Sequence, residues 1–210
     1  MYYVLGLTRL LVFYNMATPA NEPNMSIGSK TLATNLISPN VGDFICYNFE
    51  DTFLGNHVRV HRLVAAEFDT IKIINGVVFV NNINIDENRN LVHLYKTEKE
   101  NLNKIKESKF DFDNLAFQRL DSVNFKLLLE DFMVDKLDFN VTRLIEDSRF
   151  IDNDIQTIYN KAWNKDNFGP IVVPKNKVFV LGDSRDATFD SRNIGFIDKE
   201  KITGVIFIII

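Results

Sequence analysis

Between Gly182 and Arg192 the chain places Asp183, Arg185, Asp186, Asp190 and Arg192 within a single short segment. Carboxylates and guanidinium groups this close can form bidentate pairs that hold an irregular loop rigid. Without further context the same residues would make only a solvated charged loop. The segment follows Val178-Phe-Val-Leu181, a strand-like run. A second candidate is His61, inside Val58-Arg-Val-His-Arg-Leu-Val64. Neutral imidazole is a good base near pH 7 and needs a partner that fixes its tautomer. A lone strand histidine is more often a core or surface residue. His57 and His61 could suggest a metal pair, but a strand offers no visible third ligand, and His93 lies far along the chain. The single cysteine, Cys46, allows neither an internal disulfide nor a cysteine metal cluster. No metal or cofactor is expected.

These residues need a scaffold, and the surrounding pattern is mainly that of strands. Apolar residues alternate or cluster from Gly42 through Ala65. Two β-branched runs flank Asn75-Gly76, the strongest short hairpin signal, because both turn positions take positive φ. From 87 to 164 the character changes to Lys, Glu, Asp and Asn with scattered apolar residues. Thr97–Glu107 and Thr142–Ala162 have helical spacing there. Strand patterns return at Gly169–Pro174 and Lys177–Gly182, and again in the apolar end Gly204–Ile210, too short to cross a bilayer. The reading is an α+β, mainly β protein. Its core comprises 17–86 and 165–210, a mixed helical and strand subdomain is inserted at 87–164, and an apolar segment occupies 1–16.

Residues 1–16 are apolar but carry Arg9. Residues 1–14 as a helix would rise roughly 20 Å, short of the ~30 Å hydrocarbon core. The segment is the end of a spanning helix, an interfacial stretch with Arg9 snorkelling, or an element packed on the domain itself. A cleavable signal peptide is the weakest reading, because no basic region precedes the apolar part. Net charge is −4 with no long basic run, so nucleic acid is not an expected partner.

Gly182-Asp-Ser-Arg-Asp-Ala-Thr-Phe-Asp-Ser-Arg192 followed by Gly195 resembles the last motif of the bacterial type I signal peptidases, with Ser184 where Asn is usual. The segment around His61-Arg62 resembles the family strand that carries a catalytic Lys followed by Arg, and microsomal and archaeal relatives use His there. Ala17-Thr-Pro-Ala-Asn-Glu-Pro-Asn24, then Gly28-Ser29, resembles the family's nucleophile loop, Pro-Ser-x-Ser-Met-x-Pro-Thr then Gly-Asp. Pro39–Tyr47 resembles the strand that follows this loop. The resemblance covers roughly 13–85 and 167–208.

The resemblance implies roles residue by residue. His61 would be the general base, with Asp190 as its first candidate partner and Asp183 as its second. Thr188 would support the base, and Thr18 would help the oxyanion hole. Arg62, Arg185, Asp186 and Arg192 would form the structural network, in which Arg185 and Arg192 pair with Asp183, Asp186 or Asp190. Ala20 falls on the nucleophile, and a methyl group cannot attack a carbonyl. Ser26 and Ser29 are the nearest alternative hydroxyls, and each would require rebuilding the loop. Family members remove signal peptides from exported preproteins at the outer face of the cytoplasmic membrane, without metal or cofactor. The resemblance therefore implies an extended signal peptide as partner, membrane association and a periplasmic catalytic domain. Two functions compete: a signal peptidase lacking its serine, and a pseudopeptidase that binds exported peptides or a peptidase partner. A self-cleaving repressor of related fold is weaker, since that class lacks the Gly-Asp-x-Arg-Asp motif and usually carries a DNA-binding domain.

Overall fold

The computed structural model describes residues 9–107 and 117–210. The fold is α+β and mainly β. One sheet is built from β1 (Val12–Asn15), β2 (Lys30–Thr34), β3 (Phe44–Asp51), β4 (Gly55–Ala65), β13 (Lys177–Leu181), β14 (Ile197–Asp198) and β15 (Ile202–Ile209). Its order is β1-β2-β15-β3-β4-β13-β14. The C-terminal strand thus lies between the two elements that follow the N-terminal loop. Alternation along β3 explains its position: Ile45 and Tyr47 enter one core with Leu63, Val178 and Val180, while Phe44 and Cys46 enter another with Met16 and Met25.

A second sheet joins β5 (Thr70–Ile74), β6 (Val77–Val80), β7 (Ile83–Asn84) and β12 (Phe168–Val172) in the order β12-β5-β6-β7. The expected hairpin is present, with Ile74 opposite Val77 and positive φ at both Asn75 and Gly76. A core of Val64, Ile71, Val78, Phe168, Phe179 and Leu181 joins this sheet to the first.

The stretch 87–164 carries its own sheet, ordered β11-β8-β10-β9, from β8 (Val92–Glu98), β9 (Phe117–Arg119), β10 (Asn124–Glu130) and β11 (Thr142–Arg143). Its helices are α1 (Lys99–Glu107), α2 (Asp131–Val134) and α3 (Asn153–Tyr159). The two helical expectations hold only in part. Thr97 and Glu98 finish β8, where they face Phe125 and Asn124 of β10. Thr142 and Arg143 pair with β8, so the second helix begins only at Asn153. There the Asp152 carboxylate accepts from the amides of Asp154 and Ile155, and Asn160 ends the helix in the left-handed conformation.

The apolar expectation for the first residues falls largely on Met1–Thr8, outside the described residues. Among the described residues no helix is long and apolar enough to cross a membrane.

Candidate active site

The site forms where β13 ends beside β4. β13 pairs with β4 only at Arg62, Leu63 and Ala65, so the chain leaves the sheet at Gly182. A 3-10 turn, Pro19–Asn21, fills the space beside that exit. The Ser184 amide donates to the Ala20 carbonyl over 3.0 Å, and the Asn21 side-chain amide donates to the Val60 carbonyl over 2.8 Å. A Cβ at residue 182 would lie 2.4 Å from the Ala20 carbonyl oxygen and 2.6 Å from Thr188 Oγ1. The glycine is required because backbone, turn and loop meet on its open face.

His61 is buried at this meeting point. Its Nδ1 lies 2.7 Å from the Tyr47 hydroxyl, and its Nε2 lies 3.1 Å from Thr188 Oγ1. Burial pushes its pKa down to about 4, with nearby Asp190 opposing that shift and Arg59 adding to it. The ring is therefore neutral near pH 7. In the Nδ1–H tautomer it donates to Tyr47 and leaves Nε2 as an acceptor for a hydroxyl. Gly182 and Thr188 thus lie between the Ala20 turn and His61, Gly182 beside the Ala20 carbonyl and Thr188 within hydrogen-bond reach of the imidazole.

Neither Asp190 nor Asp183, the expected partners of the imidazole, hydrogen-bonds it, and their oxygens are used elsewhere. Asp190 accepts from Arg192 through its amide, Nε and a terminal nitrogen, and from the Gly182 amide. Asp183 accepts from both Arg62 Nε and a terminal nitrogen of Arg62, and from the Asn24 side chain at 2.8 Å. Both carboxylates are committed to holding the loop, and the hydrogen-bond partners of the imidazole are Tyr47 and Thr188.

The charged network is present with one changed partner. Arg192 pairs with Asp190 as expected. Arg185 pairs with Asp86, not with Asp183, Asp186 or Asp190, because Asp86 reaches the loop from the end of the second sheet. Asp186 is held by Lys165 and by the Leu94 amide. Burial works against the charge on Asp186, and Lys165, the Leu94 amide and Arg192 together outweigh it, holding that carboxyl below its ordinary range. Thr18 precedes the 3-10 turn in extended conformation, exposed, and its side chain makes no capping hydrogen bond. Ser29 turns back to the Ser26 carbonyl, and neither serine has a hydrogen bond to His61. Among the described residues no group of His, Cys, Asp and Glu could hold a metal ion. Asp86 and Lys165 join the site from outside the quoted motifs, while Tyr47, Asn21 and Asn24 lie inside the Pro39–Tyr47 and Ala17–Asn24 segments, where their residue types gave no sign of these contacts.

A family model described as signal peptidase, peptidase S26, matches residues 1–210. The chain belongs to this signal peptidase family. Signal peptidase I of Buchnera aphidicola is 29% identical over 179 residues, covering 81% of this chain and 55% of the relative. Signal peptidase I of Aquifex aeolicus is 27% identical over 203 residues, covering 93% of this chain and 74% of the relative. A Bacillus licheniformis signal peptidase I is 51% identical over a 39-residue segment, 18% of this chain and 21% of the relative. The chain thus spans about half the length of the first of these signal peptidases. A solved signal peptidase I from Enterococcus faecalis superposes with a TM-score of 0.38 at 16% identity, over 80% of this chain and 97% of that chain, a likeness too loose to carry an argument.

Proposed function

We propose that this chain is a signal peptidase I-like protein that receives the extended signal-peptide segment of an exported preprotein along β4, and that it does not cleave as it stands. The observation that carries the reading is the pairing of an intact base with a missing nucleophile. His61 is neutral and oriented by Tyr47 and Thr188, and the turn that faces it offers Ala20. A serine hydroxyl at position 20 would hand its proton to Nε2 as its oxygen attacked the scissile carbonyl. Thr18, at the start of the same turn, is assigned to the developing oxyanion, and Thr188 to holding the ring.

The peptide would lie beside Gly55–Val60, where β4 lacks a strand partner on its β13 side among the described residues. Strand addition takes affinity from main-chain hydrogen bonds, so recognition survives loss of the serine. The proposal places the protein at the outer face of the cytoplasmic membrane, associated with it through residues 1–16, and gives 87–164 no step in the chemistry.

The test is cleavage of a lipid-embedded preprotein by the unaltered chain, by Ala20→Ser and by Ala20→Ser/His61→Ala. Cleavage by Ala20→Ser alone is expected. Binding without cleavage by any of the three would favour a natural pseudopeptidase, and absence of both would end the signal-peptide reading.

A further inference from the structure

Asn21 is 4% exposed, and its two amide ends have different fates. Nδ2 donates to the Val60 carbonyl, while Oδ1 is buried with no hydrogen-bond partner among the described residues. Turning the amide over would set Oδ1 against the Val60 carbonyl oxygen, so the orientation is fixed by the neighbour. A buried carbonyl of this kind calls for a donor that the folded chain itself does not supply.

The position of Val60 identifies the donor. Leu63 exchanges hydrogen bonds with the β3 side, its amide to Asp43 and its carbonyl to Gly42. By alternation Val60, Val58 and Asn56 turn their main-chain groups the other way, toward the edge that β13 leaves unpaired. A strand added on that edge would ordinarily donate to the Val60 carbonyl. Asn21 already occupies that acceptor. Its side-chain amide has the planar shape of a peptide group, so it takes one carbonyl and offers another.

We propose that Asn21 is a peptide-positioning residue: its Oδ1 accepts a backbone N–H of an extended peptide laid along β4, in place of the Val60 carbonyl. This rests on the peptide-binding reading above. The registration of the peptide against the Ala20 turn then depends on a side chain, and a change at 21 shifts it without touching β4.

The experiment measures binding of a labelled peptide, an apolar run followed by Ala-Xaa-Ala, to the full chain by fluorescence anisotropy. A companion series replaces one backbone amide at a time by an ester, which removes a single N–H. In the unaltered chain one ester position should weaken binding about three- to ten-fold, the worth of one hydrogen bond. In Asn21→Leu the unmodified peptide should bind weaker by a similar factor, and the penalty for that ester should vanish. The ester series on the unaltered chain needs no variant to fold. Equal ester penalties in both proteins, or no ester penalty at all in a peptide that binds, would overturn the role of Asn21. No binding by the unaltered chain or by Ala20→Ser would instead overturn the peptide-binding reading, and this inference with it.

Discussion

His61 shows how a residue's surroundings decide its chemistry. Its burial lowers the pKa to about 4, against an ordinary value of 6.5. Between those values the unfolded chain binds a proton that the native chain refuses. Stability is therefore full above pH ~6.5 and is lost as pH falls toward about 4, by about 3 kcal/mol from this group. His61→Gln, which cannot titrate, should lack that part of the slope in urea unfolding followed across pH, and identical slopes would mean that the folded imidazole titrates normally. The Arg62–Asp183 pair makes a second residue-scale prediction. Asp183 is 1% exposed, so Arg62→Met strands a buried carboxylate. Unfolding in urea should show a loss of about 3–5 kcal/mol, and a loss below about 1 kcal/mol, as for a surface pair, would mean that water reaches Asp183. That His61 and the Asp–Arg loop belong to one cluster was legible because residue types in a motif declare it. Tyr47 was not, since an isolated strand tyrosine says nothing. It becomes a neighbour of His61 only through the β3–β4 register, where Ile45 faces His61 and Tyr47 faces Arg59.

At the scale of elements, the site depends on where β13 stops. The strand, the 3-10 turn and the Thr188 loop converge on Gly182, and a methyl group there would collide with the Ala20 carbonyl and the Thr188 side chain. Gly182→Ala should cost about 1–3 kcal/mol through overpacking. In the Ala20→Ser background it should also cut cleavage by about 100-fold, since the turn must shift relative to His61. Measuring stability and cleavage together separates the two effects, and a variant as active as Ala20→Ser would show that the turn does not sit on Gly182. The strands themselves were readable from alternation, and the β5–β6 hairpin from Asn75-Gly76. The helix expected over Thr142–Ala162 was not, because apolar spacing cannot report that Thr142 and Arg143 find a partner strand in β8. Local caps, Asp152 and Asn160, then set the ends of the short helix that does form.

Over the whole molecule, the stretch 87–164 is tied into the loop that carries the site. Val92 stands opposite Ser184, its amide donating to the Asp183 carbonyl and its carbonyl accepting from the Arg185 amide. The Leu94 amide donates to Asp186. Sequence composition separated this stretch from the core but could not reveal these links, because they join residues roughly 90 positions apart. Asp186 is the hinge of the connection, since it holds one side chain and one β8 amide at once. Asp186→Asn would weaken the Lys165 pair and the bond from Leu94. Hydrogen bonds to a charged group contribute about 1.5–3 kcal/mol, so amide exchange should accelerate about ten-fold or more at Leu94. If the stretch and the loop open as one unit, the amides of Val92, Ser184 and Arg185 accelerate with it, while those of the β5–β6 hairpin do not. Acceleration at Leu94 alone would mean that the two regions open separately, and that the Asp183–Arg192 loop keeps its shape without help from residues 87–164.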